Sequence, residues 1–209
     1  MSDHVVLLHG LWMPAASMRP IGRRLSRAGF STEAFGYRTV HGGPEQAIPA
    51  LADLLRRRRA HVVAHSLGGL VVLATLQREL GIEVGRIVCL GSPLRGSAAA
   101  VGVAGHAWGE FALGSSARLL RDGCAPCAAG VEVGVVAGRM PFGLGRFFGG
   151  FHGPNDGTVA VEETRIAGLA DHVTVEASHM GLLLSRHAAD QVVRFLRTGR
   201  FEGRPPQAG

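Results

Sequence analysis

The chain has 209 residues, a length that fits one domain, and 46% of them are hydrophobic while only 6% are aromatic. Together with 31 glycines, this composition predicts an aliphatic core joined by tight turns, and it excludes a disordered or fibrous chain. The net charge of +6 comes from arginine alone, and the densest run, Arg56 to Arg59, closes a predicted helix. Because cations complement a helix C-terminus, the charge does not indicate a nucleic-acid partner.

Short apolar runs rich in β-branched residues alternate with helical patterns along the whole chain. This alternation is typical of βαβ units around a parallel sheet. About six parallel strands are predicted, at Val5–Leu8, Phe30–Tyr37, His61–His65, Arg86–Leu90, Val131–Ala137 and His172–Glu176.

Four helices are predicted between and after these strands, in addition to one around Phe111 to Leu120. The first ends before Gly29, and the second ends near Arg59 with its prolines confined to the approach or first turn, because an interior proline breaks a helix. Residues Leu67–Leu80 form a buried helix that stops before a glycine, and residues Gly181–Leu196 form a final amphipathic helix. The prolines in question are Pro44 and Pro49.

Residues 1–197 are interpreted as a single domain, and residues 198–209 as a flexible C-terminal tail. Within the domain, residues 91–130 form a loop-rich excursion with one helix around Phe111 to Leu120. No apolar run approaches the roughly 20 residues of a membrane helix, and no leader is visible at the N-terminus, so we expect a cytoplasmic monomer. Peripheral contact with a membrane surface remains open.

The strongest motif, Ala64-His65-Ser66-Leu67-Gly68, lies where the third strand turns into the long helix. This is the setting of a nucleophile elbow, in which small residues two positions before and after the serine let neighbouring backbone pass. Ala64 stands where glycine is usual, and one methyl group is compatible with that approach. The alternative interpretation is a serine that caps a helix beside two packing glycines.

A second motif, His9-Gly10-Leu11-Trp12, follows the first strand and therefore lies at the same edge of the sheet as Ser66. Acyl transfer places negative charge on the former carbonyl oxygen, and fixed backbone amides stabilise it. The candidate donors are the N–H groups of Leu11 and Leu67. The alternative for this motif is an ordinary turn at the end of a strand.

A serine nucleophile needs a base, and the base needs a third group that fixes its tautomer. His179 is the best placed of ten histidines because it follows the last strand and precedes the last helix. His172 and His187 should point elsewhere, and His65 should project away from the tip of the elbow. His61 and His65 form an H-x3-H pair, but a third metal ligand is missing.

For the acid, the chain order serine, acid, histidine leaves Asp122, Asp156, Asp171 and a few glutamates. Asp156 is favoured because Asn155-Asp156-Gly157 is a turn that returns to the upper edge of the sheet, whereas Asp171 begins a strand at the lower edge. A surface Asx turn is the alternative interpretation of this aspartate.

The elbow, the His-Gly motif, the Asp-Gly-x-Val turn and His179-Met180-Gly181 together resemble α/β-hydrolase-fold lipases and esterases, particularly small bacterial lipases with little or no lid. The resemblance spans roughly residues 5–197. It implies a three-layer α/β-hydrolase fold with about six mostly parallel strands. It also implies a carboxylic ester hydrolase with Ser66 as nucleophile, Asp156 as acid, His179 as base and the Leu11 and Leu67 amides for the oxyanion.

Substrate contacts are expected from Trp12 and Met180, which adjoin the motifs, and from aromatic residues in the stretch 138–155. This stretch either lines an acyl pocket or is a loop whose aromatics attach it to the core. Phe142, Phe147 and Phe148 are the candidates within it. The partner is therefore a small-molecule or lipid acyl ester, and we expect neither a cofactor nor a metal.

Two other functions use the same residues. An acyltransferase or thioesterase would differ only in whether water, an alcohol or a thiol enters or leaves, and the sequence does not separate these reactions. A non-catalytic binding protein of the same fold is the alternative from another class. The lone pair Cys124-x2-Cys127 is interpreted as incidental thiols, because no second ligand pair accompanies it.

Overall fold

The computed structural model of the chain describes residues 3–79, 81–106, 109–127, 130–142 and 153–202. Six strands form one sheet in which every pairing is parallel, in the order β2-β1-β3-β4-β5-β6. This confirms the predicted strand count and direction. The strands are β1 (His4–Leu8), β2 (Ser31–Phe35), β3 (His61–His65), β4 (Ile87–Leu90), β5 (Val133–Gly138) and β6 (Asp171–Val175).

The four central strands are buried along their whole length, whereas the edge strand β2 has exposed positions and the edge strand β6 is half-buried in its middle. Continuous apolar runs are what a parallel sheet covered on both faces requires. The strand order reverses between β1 and β3, since the chain leaves β1 toward one edge and β3 toward the other. In such sheets the crevice at the carboxyl ends of these two strands is the usual ligand site.

Eight α-helices cover the sheet in the described ranges. One buried cluster joins a face of the sheet to α1, α7 and α8, and the other joins the opposite face to α2, α3 and α6. The chain therefore has the three predicted layers. The helices are α1 (Arg19–Arg27), α2 (Gly43–Arg57), α3 (Leu67–Arg78), α4 (Ala98–Ala104), α5 (Gly109–Leu113), α6 (Ala117–Asp122), α7 (Gly181–Leu184) and α8 (Arg186–Thr198).

The prediction for Pro49 was wrong, because this proline lies inside α2 rather than in its approach. Pro44 does occupy the first turn. Pro49 is on the exposed side of the helix, where water can solvate the carbonyl that loses its N–H partner. The position of an interior proline relative to the core decides whether a helix tolerates it.

The last helix is interrupted, and the excursion is more helical than predicted. Ser185 is extended and its hydroxyl accepts a hydrogen bond from Ala188 N–H, so α7 ends and α8 begins there. Residues 91–130 contain α4, α5 and α6, where one helix was expected.

Residues 198–202 belong to the stretch predicted as a flexible tail, but two of them, Gly199 and Phe201, are buried. Phe201 is buried against Phe195, and its N–H donates to Asp171 Oδ2. None of the helices in the described ranges has the length and apolar character needed to cross a bilayer.

Candidate active site

Ser66 occupies a strained turn between β3 and α3. Its φ is 54° and its ψ is −122°, and among the described residues only Trp12 is another non-glycine residue with positive φ. Such a backbone conformation costs about 1–3 kcal/mol and persists only where the surroundings impose it. Here β3 and α3 are both buried on either side of the turn, so they fix the serine in this position.

The hydroxyl of Ser66 does not cap its helix, unlike two other serines at helix N-termini. Ser97 and Ser185 have extended backbones, and their hydroxyls accept hydrogen bonds from Ala100 N–H and Ala188 N–H at 3.1 Å. The side chain of Ser66 accepts no such bond. The helix-capping interpretation of Ser66 is therefore wrong, and the hydroxyl is left for another role.

The close approach that the elbow motif requires is present at Gly68. A Cβ placed on Gly68 would lie 2.9 Å from the carbonyl oxygen of His9 and 3.0 Å from that of Leu8. Any side chain at this position would push the loop after β1 away from the elbow. The glycine therefore lets the two predicted oxyanion loops lie against each other.

His179 and Asp156 are joined by a hydrogen bond of 2.8 Å from His179 Nδ1–H to Asp156 Oδ2. Both side chains are buried, and the backbone N–H of His179 also donates to the carbonyl of Asp156 at 2.9 Å. A proton held at Nδ1 leaves Nε2 as the free acceptor of the ring. The carboxylate thus fixes the tautomer and the orientation of the imidazole.

The turn that carries Asp156 is fixed by its own side chains. Asp156 Oδ1 accepts from Thr158 N–H at 2.9 Å and from Val159 N–H at 2.7 Å, and Asn155 Oδ1 accepts from Gly157 N–H at 3.0 Å. The Asx-turn interpretation is therefore correct as local structure. The same carboxylate uses one oxygen for the turn and the other for His179.

Ser66 and His179 both lie close to the end of β4, and no hydrogen bond joins their side chains in the described structure. Ser66 N–H donates to Leu90 O at 2.9 Å, while a Cβ on the next residue, Gly91, would lie 3.0 Å from Asp156 Oδ2 and 3.2 Å from His179 Nδ1. Ser66 Oγ and His179 Nε2 have no hydrogen-bond partner among the described residues, and neither is a buried orphan atom. Both atoms therefore reach accessible surface at the same edge of the sheet.

The two predicted oxyanion donors lie on the loops after β1 and β3. Leu67 begins α3, where the first N–H groups of a helix have no partner within it. Within the described ranges, neither Leu11 N–H nor Leu67 N–H donates to a backbone or side-chain acceptor. Neither amide is therefore committed to a protein acceptor in these ranges.

The predicted pocket residues surround this edge where the structure describes them. Trp12, Met180 and Phe142 are exposed, at 61%, 51% and 78% of their surface. The indole N–H of Trp12 donates to Ala112 O at 2.9 Å, which places the ring beside the excursion. Phe147 and Phe148 lie outside the described residues.

Two residues near the site were not predicted from the sequence. Tyr37 stacks on the His9 ring with centroids 4.5 Å apart, and its hydroxyl donates to the His9 carbonyl at 2.8 Å. Burial lowers the pKa of His9. His65, the last residue of β3, is fully buried and donates from Nε2 to His179 O at 3.0 Å. No motif flagged either contact, because both join residues that are distant in sequence.

The remaining predicted alternatives have structural partners. His61 Nδ1 accepts from Arg86 N–H at 2.7 Å, and His172 contacts Thr164 at 2.8 Å. Burial raises the pKa of Cys124 to about 12 and that of Cys127 to about 11, so both remain thiols at neutral pH. No cluster of three or more metal-ligating side chains occurs in the part of the chain that the structure describes.

Comparison with solved structures identifies the architecture. The mature form of Bacillus licheniformis lipase BlEst2 superposes with a TM-score of 0.75 at 19% identity, and the match covers 93% of this chain and 91% of that one. The chain has the α/β-hydrolase fold. Other solved structures with this α/β-hydrolase architecture are phospholipase PlaB from Legionella pneumophila and a monoacylglycerol lipase from Paleococcus ferrophilus.

PlaB matches with a TM-score of 0.74 at 16% identity, covering 94% of this chain and 58% of that one. The monoacylglycerol lipase matches with a TM-score of 0.58 at 16% identity, covering 94% of each chain. No protein-family model matches this α/β-hydrolase-fold chain, and no curated protein matches it in sequence.

Proposed function

We propose that this chain is a serine esterase that hydrolyses carboxylic esters through an acyl-enzyme on Ser66. The observation that carries the proposal is the 2.8 Å hydrogen bond from His179 to Asp156. It lies at the same edge of the sheet as Ser66, whose backbone is strained and whose hydroxyl does not cap α3. A base with a fixed tautomer next to an uncommitted hydroxyl is the arrangement that nucleophilic acyl transfer needs.

In the first step, Ser66 Oγ attacks the ester carbonyl carbon while His179 Nε2 takes the hydroxyl proton. The C–O bond to the alcohol then breaks, and the imidazolium returns its proton to the leaving alkoxide, so that an alcohol departs and an acyl-serine remains. In the second step, water attacks the acyl-serine and gives its proton to the same imidazole. Release of the carboxylic acid restores the Ser66 hydroxyl. The Asp156 carboxylate orients the ring and stabilises the imidazolium in both steps.

The negative charge of each tetrahedral intermediate would be bound by Leu11 N–H and Leu67 N–H. Their lack of acceptors in the described ranges supports this assignment. Loss of one such donor typically costs 100- to 1,000-fold in kcat, equal to about 3 kcal/mol. The position of Leu67 at the N-terminus of α3 adds the favourable end of a helix dipole to the same site.

The surface around Ser66 supports an apolar acyl group as the substrate class. Four exposed apolar side chains are named here the apolar rim. Three of them lie on the loops after β1, β5 and β6, and the fourth lies on α5, which accepts the indole hydrogen bond of Trp12. Met140 N–H bonds to Ala177 O at 3.2 Å, which places that side of the rim near the segment carrying His179. The solved lipases of this fold favour the same class. The members of the apolar rim are Trp12, Phe111, Phe142 and Met180.

The test is covalent labelling with a fluorophosphonate, which phosphonylates an activated serine. We expect one adduct per chain in the intact mass, located on Ser66 by peptide mapping, together with hydrolysis of p-nitrophenyl esters. Ser66→Ala should lose both the adduct and the hydrolysis. The matched control is Ser97→Ala, because Ser97 also begins a helix but its hydroxyl is used as a cap.

Labelling at another residue, or hydrolysis that survives in Ser66→Ala, would contradict the assignment of the nucleophile. Absence of both labelling and hydrolysis in the wild-type chain would favour a non-catalytic binding protein. Comparing the hydrolysis rates of p-nitrophenyl esters with those of thioesters of equal chain length would separate an esterase from a thioesterase.

A further inference from the structure

His65 forms a direct link between the residue before the nucleophile and the segment that carries the base. Its Nε2–H donates to the backbone carbonyl of His179 at 3.0 Å, and the two rings lie 4.7 Å apart between centroids with a tilt of 46°. The ring has no exposed surface. Because a carbonyl oxygen only accepts, the proton of the neutral His65 ring is fixed at Nε2.

This link is short compared with the path through the sheet. Ser66 follows β3 and His179 follows β6, and β4 and β5 lie between these strands. Three spacings of about 4.8 Å separate the strand axes, roughly 14 Å in total, so the sheet by itself does not bring the hydroxyl and the imidazole together. The segment after β6 must fold back across the strand ends, and its position has to be fixed there.

Three hydrogen bonds fix His179 in that position. Its N–H and its Nδ1–H both bond to Asp156, which belongs to a separate turn, whereas its carbonyl bonds to His65. Of the three, only the last connects the base to β3, the strand that Ser66 follows. His65 and Ser66 are adjacent, so this bond sets the position of the base relative to the nucleophile across a single residue.

We infer that His65 is a positioning residue for the proposed esterase reaction. Through its Nε2–H bond to the His179 carbonyl, His65 holds His179 at the correct distance from Ser66. The expected effect on kcat rests on the proposed function, whereas the expected position of His179 rests only on the observed hydrogen bond.

The surroundings of His65 suit a neutral ring of fixed orientation. Burial, followed by the effect of His179, lowers the pKa of His65 to about 3, so the ring does not compete for the proton that His179 carries during turnover. Its other nitrogen, Nδ1, is buried without a partner among the described residues. A Cβ on Gly10 would lie 3.1 Å from Nδ1 and 3.0 Å from Ser66 Cβ, so His65 is also packed beneath the loop of the predicted oxyanion donor Leu11.

The kinetic test compares His65→Gln with His65→Asn. The amide nitrogen of glutamine is as many bonds from the backbone as Nε2 of histidine and can restore the donor, whereas that of asparagine is one bond shorter. We expect His65→Asn to lower kcat for a p-nitrophenyl ester by about 100-fold with an unchanged KM, since a misplacement near 1 Å costs that much. His65→Gln should recover at least tenfold of that loss. His61→Asn, at the opposite end of β3, is the control and should leave kcat unchanged.

A measurement on the wild-type chain tests the link without turnover. Nuclear magnetic resonance of 15N-histidine-labelled protein should show His65 as the Nε2–H tautomer at pH 7 and His179 with a low-field Nδ1 proton. His65→Asn should shift or broaden that proton, and His65→Gln should restore it. An Nδ1–H tautomer for His65, equal kcat in the two variants, or a loss confined to KM would overturn the inference. Lack of ester hydrolysis in the wild type would overturn the proposed function alone, because the tautomer and the low-field proton report the link directly.

Discussion

The two ends of the sheet each contain a buried aspartate, and the two differ in what they bind. At the carboxyl end, Asp156 divides its oxygens between two backbone N–H groups and the imidazole of His179. At the amino end, Asp171 accepts from the backbone N–H groups of His172 and Phe201, each at 2.8 Å. Burial and hydrogen bonding are thus common to both aspartates. Asp156 differs in that it bonds to the candidate base, at the edge of the sheet that carries Ser66.

Strand β3 shows the same contrast between its two histidines. His61, at the start, accepts a hydrogen bond from Arg86 N–H and so joins one strand to the next. His65, at the end, donates to the segment that carries the candidate base. The carboxyl end also has the two non-glycine residues with positive φ in the described chain, Ser66 and Trp12. Strain and uncommitted polar atoms, rather than burial, distinguish the end that we propose is catalytic.

The largest expected effect comes from removing the nucleophile. Ser66→Ala should lower the rate of ester hydrolysis by about a million-fold, as when a member of such a triad is removed. Its thermal midpoint should stay near that of the wild type, because the hydroxyl makes no hydrogen bond in the described structure. Steady-state kinetics and thermal melts on the same samples provide the check. A large drop in stability would show that the hydroxyl has a structural role.

The next effect compares the two aspartates directly. Asp156→Asn should lower kcat by about ten thousand-fold, because an amide no longer holds the His179 tautomer with Nε2 free. Asp171→Asn should leave kcat unchanged but lower the free energy of unfolding by about 1–3 kcal/mol, the cost of a weakened buried acceptor. Both quantities are measurable by kinetics and urea titration. An equal loss of activity in the two variants would remove the distinction between the two ends.

The fold was largely predictable because its signals are local. The four central strands are mostly apolar runs of four to six residues, and most breaks between elements contain a glycine, proline or serine. The wrong predictions concern features that depend on the surroundings. Pro49 is tolerated in α2 because it faces solvent, and the break at Ser185 depends on whether its hydroxyl caps a helix or not. Neither is decided by the residue type alone.

The site was predictable only where a motif follows the end of a strand or marks a turn. Ser66 and His179 follow the ends of β3 and β6, Asp156 lies in a turn with a local Asn-Asp-Gly pattern, and the structure brings Asp156 and His179 into direct contact. The contacts of His65 and Tyr37 with the two loops join residues 114 and 28 positions apart, and no local pattern indicates them. The expectation that His65 projects away from the elbow tip is compatible with its burial, but its contact with His179 depends on how the last loop folds back.

An intermediate effect concerns pH and His65. Its pKa is about 3 in the folded chain and 6.5 in the unfolded one, so between these values the unfolded chain binds more protons and stability falls as the pH falls. This histidine alone should cost about 2 kcal/mol between pH 7 and pH 5. The measurement is urea unfolding of the wild type and His65→Gln at both pH values. Because other groups titrate in both proteins, the difference isolates His65, and equal pH dependence would show that its ring accepts a proton without cost.

The smallest expected effect separates the apolar rim from the chemistry beside it. Trp12→Ala removes an exposed ring next to the candidate donor Leu11. A lower rate could therefore reflect lost apolar contact with the acyl chain, a disturbed oxyanion donor, or both. The ratio of kcat/KM for a decanoate ester to that for an acetate ester cancels the oxyanion contribution, because both esters form the same charge. This ratio should fall about tenfold, as expected for losing about 1.4 kcal/mol of apolar contact with the longer chain. Val101→Ala, an exposed apolar residue of α4 outside the rim, should leave the ratio unchanged. A fall for both esters alike would instead assign Trp12 to the support of the oxyanion loop, through the bond from its indole N–H to Ala112 O.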